Sequence, residues 1–539
     1  MKTKGLRRML LAALLLGALT CVLATGAFAA DTIASGTCGE HTAWTLDSDG
    51  VLTVTGTGEM NCFMMSPHAP WEEESDKIRS VVIEDGVTSI GKSAFPDCKN
   101  LTSVTIPDSV TVIGRYAFEH CGALGDVTLP DSVTSIGEHA FEGCVSMKNI
   151  KLSESLTEVG NHAFQNCTGL THVALPKGVT RIPARLFDGC TALRTVTIPD
   201  GVDSIGEYAF SGCGVLMNVT IPSSVTRIGV VAFGNCKALT NMVIPEGVTE
   251  LDSNAFCECS GLTRLTLPNS LYAIGQDAFS DCTGLTSVTI PAGVRSTGET
   301  LFYGCTNLST LIFLGEAPSM MKRSLDGITA TVYYPNDSTW TEEVRRECAG
   351  KLNWVAYDPA HPFTDVAPDA YYEKAVDWAV AQGITNGTSF TKFSPNNACT
   401  RGQVVTFLWR MAGKPRAEKR ENPFTDVKEG SFCYEAVLWA VEQGITTGKT
   451  TTTFCPVETC NRGQIVTFLW RYAGEPEPQN QNRQFADVAA GSFCDQAVMW
   501  AVENQITLGM KADTFAPGDP CTRGHAVTFL YRGRELLKK

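Results

Sequence analysis

Between Gly86 and Gly315 the apolar positions return every 23 residues, through ten copies without one inserted or deleted residue. The copies begin at Gly86, Ser109, Ser132, Ser155, Gly178, Gly201, Ser224, Gly247, Ser270 and Gly293. Phe95 and the residue 23 further on in each copy, up to Phe302, are all Phe; the phase of Leu101 is Leu throughout except for Met147. Val104-Thr105-Ile106-Pro107 alternates like a strand that stops at a proline, and Val87-Thr88-Ser89-Ile90 makes a second extended segment before Gly91. A fixed period of this length predicts a solenoid with each residue type stacked above its copy. Parallel strands about 4.8 Å apart make ten coils a rod roughly 48 Å long. A buried Phe contributes on the order of 1.5 to 3 kcal/mol only once the next coil covers it, so one repeat alone is not expected to fold.

The flanks read as caps. Residues 31–85 carry short alternating strands around the Asp47-Ser48-Asp49-Gly50 turn, and 316–362 break the period with a strand at Thr331–Pro335, a short helix at Trp340–Cys348, Trp354 as an apolar lid and a linker near Asp358–Pro362. A second period, of 61 residues, then places Phe363-Thr364-Asp365-Val366, Phe424-Thr425-Asp426-Val427 and Phe485-Ala486-Asp487-Val488 in register, defining units 363–423, 424–484 and 485–539. Each unit predicts a first helix with Trp378, Trp439 or Trp500 on its apolar stripe, so these are expected in the core. Gly383 and Gly444 suit a left-handed helix end, Gln505 less so. After a loop holding Phe393 and Pro395, a second helix opens at Thr400 with a capping box to Gln403, repeated by Asn461 with Gln464 and more loosely by Thr522 with His525.

The pattern L-x-x-V-x-I-P followed by V-x-x-I-G-x-x-A-F-x-x-C resembles the BspA-like leucine-rich repeat family, which implies a surface-displayed, ligand-binding solenoid without catalysis. Pro183 and Asp252 stand where Gly is usual, and Thr297 replaces an aliphatic residue, as expected of a fraying last coil. F-T-D-V, W-A-V-x-x-G-I, F-x-P and T-R-G-Q resemble S-layer homology domains. That resemblance implies a three-pronged helical module binding a pyruvylated secondary cell-wall polysaccharide in grooves between its prongs. The family's basic residue falls on Arg401, Arg462 and Arg523; Gln403, Gln464 and His525 stand where many members have Glu. These six are the candidate polysaccharide-binding residues. An Arg at the first helical position is expected to sit beside free backbone N–H groups and to offer a planar fork to a carboxylate; the plainer alternative is a solvated helix end. The predicted fold class is multidomain: a β-rich leucine-rich repeat solenoid of ten 23-residue repeats, then an all-α three-pronged module.

Charge and cysteines adjust this picture. The first thirty residues have Lys2, Lys4, Arg7 and Arg8, an apolar run from Met9 to about Leu23, and Ala27-Phe28-Ala29, which reads as a secretory leader. Cys21 fits a lipid-attachment pattern badly. Without those four cations the formal charge of −14 becomes −18, which argues against non-specific nucleic-acid binding. No later stretch reaches the ~20 apolar residues of a membrane span. Ten of the 21 cysteines share one repeat phase, from Cys98 to Cys305, and are expected as buried free thiols. Candidate disulfides are Cys38–Cys62, Cys433–Cys460 and Cys494–Cys521. No metalloprotease, nucleophile-elbow or phosphate-loop motif occurs, so no catalytic residue, cofactor or metal is expected. His139 and His162, in adjacent coils, are read as exposed turn residues rather than ligands.

The departures from the repeat at His172, Arg181, Arg194, Arg227, Arg264 and Tyr272 are the candidate binding face of the solenoid. The expected role is an exported, wall-anchored surface protein recognising a protein or glycan. The alternatives are a structural surface-layer component, and a wall-associated enzyme or enzyme scaffold.

Overall fold

The computed structural model describes residues 30–63, 68–418, 421–480 and 485–537; the leader's apolar run and the Ala27-Phe28-Ala29 site lie outside the described residues. The chain divides into two compact units, Met1–Ala356 and Tyr357–Lys539. No helix among the described residues is long and apolar enough to cross a membrane.

The first unit is a parallel β-solenoid whose strand pairs sit 23 residues apart, as in Arg181 beside Ser204 and Ser204 beside Arg227. Every Phe of the repeated phase is fully buried, and successive rings stack with centroids 5.1–5.8 Å apart. The cysteine phase has a structural use. From Cys121 to Cys305 each Sγ donates to the Phe carbonyl of the coil before, 26 residues back, at 3.0–3.3 Å. A small side chain with a weak donor fits a corner facing a buried carbonyl. All ten are free thiols, and burial pushes Cys167 and Cys305 up to about 12.

The in-register stack starts before Gly86. Ser80–Ile83 pairs with Ser103–Thr105 at the 23-residue offset, and an antiparallel run of Thr32–Thr37, Thr42–Asp47 and Val51–Gly56 covers its outer edge. Trp71 closes the aromatic column: its ring stacks on Phe95 at 5.1 Å, and its Nε1 donates to Ala94 O at 2.8 Å. Nothing in the repeat pattern singles out Trp71, because cap residues have no copies. At the other end Ser296–Thr297 pairs with Ser319–Met320, so Thr297 lies buried inside the sheet rather than at a fraying terminus. Helix α1, Glu342–Glu347, is capped by Thr341, and Trp340, Trp354, Tyr334 and Phe313 cluster beneath it.

Among its described residues the second unit holds six helices: α2 Glu373–Ala381, α3 Arg401–Met411, α4 Tyr434–Glu442, α5 Arg462–Tyr472, α6 Asp495–Glu503 and α7 Arg523–Gly533. Gly383, Gly444 and Gln505 all take the left-handed conformation after α2, α4 and α6. The second helix of each sequence unit packs on the first helix of the next: α3 on α4, α5 on α6, and α7 back on α2. Three units therefore close into a ring. At its centre the N–H of Cys399 donates to Cys521 O, Cys460 to Cys399 O, and Cys521 to Cys460 O, at 2.8–2.9 Å.

This ring removes the expected disulfides of the module. Cys460 and Cys521 belong to the central cycle, whereas Cys433 and Cys494 lie against Gly402 of α3 and Gly463 of α5, the preceding unit's second helix. All four are free. In the N-terminal cap, Cys38 is buried and faces Thr42 Oγ1, while Cys62 is exposed and unbridged.

Candidate functional site

Arg401, Arg462 and Arg523 each open a second helix, but none is a solvated helix end: their exposures are 4%, 1% and 4%. Each guanidinium reaches into the next unit around the ring. Arg401 Nε donates to Phe454 O, Arg462 Nε to Phe515 O, and Arg523 Nε to Phe393 O, at 2.8–2.9 Å. Each also lies 4.8 Å from the centroid of the same Phe ring. The N–H of that Phe is held by the Asp of F-T-D-V or F-A-D-V: Asp365 takes Phe393 and Ser394, Asp426 takes Phe454 and Cys455, and Asp487 takes Phe515 and Ala516. One peptide thus separates each Arg from its carboxylate, and the residues that carry the resemblance form one repeated, mostly buried linkage.

The free N–H groups expected beside the arginines are taken. Arg401 N and Gly402 N donate to Glu458 O and Pro456 O, Arg462 N and Gly463 N to Asp519 O and Pro517 O, and Arg523 N and Gly524 N to Asn397 O and Pro395 O. The next N–H goes to the capping side chain. A helix start filled by a neighbour's carbonyls has no donors left for an anion.

The three positions differ in what remains. Arg523 Nη2 donates to Thr385 Oγ1 at 3.1 Å. Arg462 Nη2 is buried without an acceptor among the described residues, and Nδ1 of His525 is buried there without any hydrogen-bond partner. Burial lowers the pKa of Arg462, and burial together with nearby Arg462 pulls His525 down to about 4, leaving its ring neutral at pH 7. The His525 ring stacks on Tyr371 at 5.8 Å, and Tyr371 is 56% exposed. Arg462, His525 and Tyr371, one from each unit, thus meet near the surface.

Gln403 and Gln464 serve as helix caps: their Oε1 atoms accept from Thr400 N and Asn461 N, while the same Thr and Asn side chains accept from the Gln N–H. His525 fills only half of this role, because its ring returns no bond to Thr522 N. The glycines after the three arginines have a cause here. A Cβ on Gly402 would come within 2.9 Å of Pro456 O and 3.1 Å of Phe432 Cζ.

Trp439 and Trp500 are core residues, and Trp378 is half-buried. A cleft of about 470 Å³ is lined by Trp378, Arg410, Tyr472 and Arg534, and another of about 500 Å³ by Trp439, Arg416, Glu442 and Tyr472. In the first cleft the half-buried Trp378 beside Arg410 and Arg534 offers a sugar both an apolar edge and anion-pairing donors.

On the solenoid the six candidate residues are all exposed, but they do not share a face. His172 and Arg264 share one repeat phase, on two separate two-stranded sheets, and Arg194 immediately precedes a strand of the first; Arg181 and Arg227 lie on the seven-stranded sheet, and Tyr272 immediately precedes a strand of that one. Arg227 is engaged by Asp252 at 3.0 Å. His139 and His162 are not exposed turn residues either: both are half-buried, and their rings stack at 4.3 Å.

Comparison with known proteins follows the two units. Residues 73–194 and 180–309 match the BspA type leucine rich repeat region, and residues 362–405, 423–466 and 484–527 match the S-layer homology domain. Over 171 residues, 30% of the chain, it is 30% identical to an endoglucanase of Bacillus sp. (strain KSM-635). It is 32% identical over 22% of its length to a cell surface protein of Thermoanaerobacter kivui, and 29% identical over 30% to the surface-layer 125 kDa protein of Lysinibacillus sphaericus. The aligned parts span 18%, 16% and 14% of those relatives. Among solved structures, a leucine-rich repeat protein from Bacteroides ovatus ATCC 8483 matches at 24% identity and TM-score 0.41 over 61% of the chain and 100% of its own. A leucine rich cell surface protein from Faecalibacterium prausnitzii A2-165 matches at 27% and 0.38 over 61% and 95%.

Proposed function

The chain is a BspA-type leucine-rich repeat protein with three S-layer homology domains, and we propose that it is held non-covalently at the cell wall by those domains. The ligand of the module is an acidic secondary cell-wall polysaccharide, pyruvylated in the form its arginines suit. The observation that supports this reading is Arg462, a buried guanidinium with one donor unspent, beside the equally unspent His525 Nδ1 and under the exposed Tyr371. A buried donor without an acceptor costs about 1 to 3 kcal/mol, which a carboxylate oxygen at that point recovers. The Trp378 cleft, at the C-terminal ends of α2, α3 and α7, is a separate surface open to further sugar rings.

The solenoid then faces outward for adhesion or recognition of a protein or glycan. A second reading, a structural surface-layer component without a specific ligand, has an observation in its favour. The large exposed apolar residues between Gly86 and Gly315, namely Val112, Val145, Met217, Val243, Tyr272, Tyr303 and Leu314, each fall at a different phase of the repeat, so they form no ladder along it.

The anchoring reading is tested by co-sedimenting the chain from residue 31 onward with cell walls, intact or stripped of secondary polysaccharide. Retention only on intact walls is expected; equal retention on both overturns the reading. Surface capture of partners by wall-bound chain separates recognition from a purely structural role.

A further inference from the structure

Two imidazoles and a carboxylate converge on the turn side of the solenoid. His139 and His162 occupy the same phase of adjacent coils, with ring planes 16° apart and centroids 4.3 Å apart. His139 Nδ1 is hydrogen-bonded to Glu142 Oε2, and His162 Nδ1 lies 2.6 Å from Gln165 Oε1. Gln165 Nε2 in turn donates to Asp188 Oδ2 at 3.0 Å, which steadies the second imidazole from behind. The His139 and Glu142 side chains are only 20% and 15% exposed. One ligand atom from each of His139, His162 and Glu142 lies within 4.8 Å of the other two, and no other group of three His, Cys, Asp or Glu among the described residues does so.

The nearby cations are engaged elsewhere. Arg115 pairs with Glu138 at 3.0 Å, and Arg185 pairs with Asp188 at 2.9 Å while covering the Tyr208 ring. A second carboxyl, Glu119, adjoins the cluster; burial raises its pKa, the charge of Glu142 adds to this and His120 opposes it. The strip therefore combines stacked imidazoles with negative charge that no Arg or Lys answers directly.

We propose that His139, His162 and Glu142 form a binding site for one zinc ion. Two imidazole nitrogens and one carboxylate oxygen suit zinc, whereas calcium and magnesium take oxygen sets. Bonds of about 2.1 Å in a tetrahedron put ligand atoms about 3.4 Å apart. Closing from 4.8 Å requires Glu142 to turn and the two stacked rings to splay apart until their in-plane lone pairs converge, with His162 Nδ1 leaving Gln165. The ion replaces the proton shared by His139 and Glu142 and bridges two successive coils. Its fourth position stays open to water or to a donor from a partner molecule.

The repeat supplies its own conservative variants. Asn254 occupies the phase of His139 five coils on, and Gln165 that of Glu142 one coil on, so His139→Asn, His162→Asn and Glu142→Gln place residues the backbone already carries. Calorimetric titration of the untagged chain with zinc chloride, under reductant, is expected to show one site at the cluster, weakened on the order of tenfold or more by each His→Asn change. Cobalt in place of zinc should give a spectrum without thiolate charge transfer, and copper resonance of the unaltered chain should show two nitrogen ligands; the latter needs no variant to fold. Absence of zinc binding, unchanged affinity in all three variants, or a thiolate band placing the ion on cysteine each overturns the proposal.

Discussion

Truncating the buried arginines is the most direct test of how the helical module is held together. Arg523→Ala deletes a charged donor bonded to Phe393 O at 2.8 Å and to Thr385 Oγ1 at 3.1 Å. Each bond from a charged group contributes about 1.5 to 3 kcal/mol before the cost of burying the charge is counted. The guanidinium also covers Phe393 at 4.8 Å and Phe407 at 5.6 Å, at about 1 to 2 kcal/mol each. Removal relieves an incompletely paired buried cation, so the net loss is smaller than this total, about 3 to 4 kcal/mol. Arg462→Ala loses one such bond, to Phe515 O, and gives up an Nη2 that had no acceptor, so its cost is lower by at least about 1.5 kcal/mol, that of the missing bond. Urea titration of the chain, followed by the tryptophan fluorescence of the module, measures both. A solvated helix end would lose no more than about 0.5 kcal/mol, so losses that small for all three arginines, or a larger loss for Arg462→Ala than for Arg523→Ala, would refute the linkage. The same numbers show why alanine at all three positions is a poor probe of polysaccharide binding: lost binding would report lost structure.

Three further outcomes follow from particular groups. Cys121, Cys144, Cys167, Cys190, Cys213, Cys236, Cys282 and Cys305 are held above their ordinary value of 9.0, Cys167 at about 12, so their stabilisation is complete below pH 9 and is lost as pH rises toward 12, by about 1.4 kcal/mol per pH unit for each such thiol; melting between pH 8 and 11 should fall steeply, and a flat profile contradicts the buried ladder. His525→Gln completes the third capping box and removes a group whose folded pKa, about 4, lies below the ordinary 6.5; stability tied to neutral His525 is lost as pH falls from 6.5 through 4, so the variant's advantage in melting temperature should widen over that range. Gly402→Ala gains about 1 kcal/mol of helix propensity but drives a methyl to 2.9 Å from Pro456 O, whereas at Gly463 the nearest atom lies at 3.1 Å; denaturation should show Gly402→Ala to be the more costly of the two.

What could be read in advance depended on symmetry. In the solenoid the neighbour of every coil is its own copy, so phase alone placed Phe210 on Phe233 and put Cys213 in a buried corner. It could not place Trp71, which has no copy, nor show that the sheet continues in register to Met320 after the consensus is lost. In the second unit the helices, their caps and the left-handed Gly383 and Gly444 were legible because they are local. Which helix packs on which was not: a 61-residue period is equally compatible with α3 resting on α2 or on α4. The exchange to α4 buries the arginines, fills the helix starts with a neighbour's carbonyls and separates Cys433 from Cys460. One signal was present, since a glycine at the second helical position costs about 1 kcal/mol and had to mark a close approach; Phe432 and Phe493 are what approach.

Closure into a ring of three also makes small differences between units matter. A solenoid coil that varies alters only its two neighbours, but each interface of the module combines residues of different units and occurs once. Arg523 finds Thr385, while Arg462 faces a histidine that neither caps its own helix fully nor carries charge at neutral pH. Tyr371 at that interface corresponds to Phe432 and Phe493 at the other two, and all three are exposed. The three grooves are therefore chemically distinct despite the sequence repeat. If an acidic sugar is bound by the unspent donors, the Arg462–His525–Tyr371 interface binds it first, and one ligand per chain, not three, is the stoichiometry to expect at limiting polysaccharide.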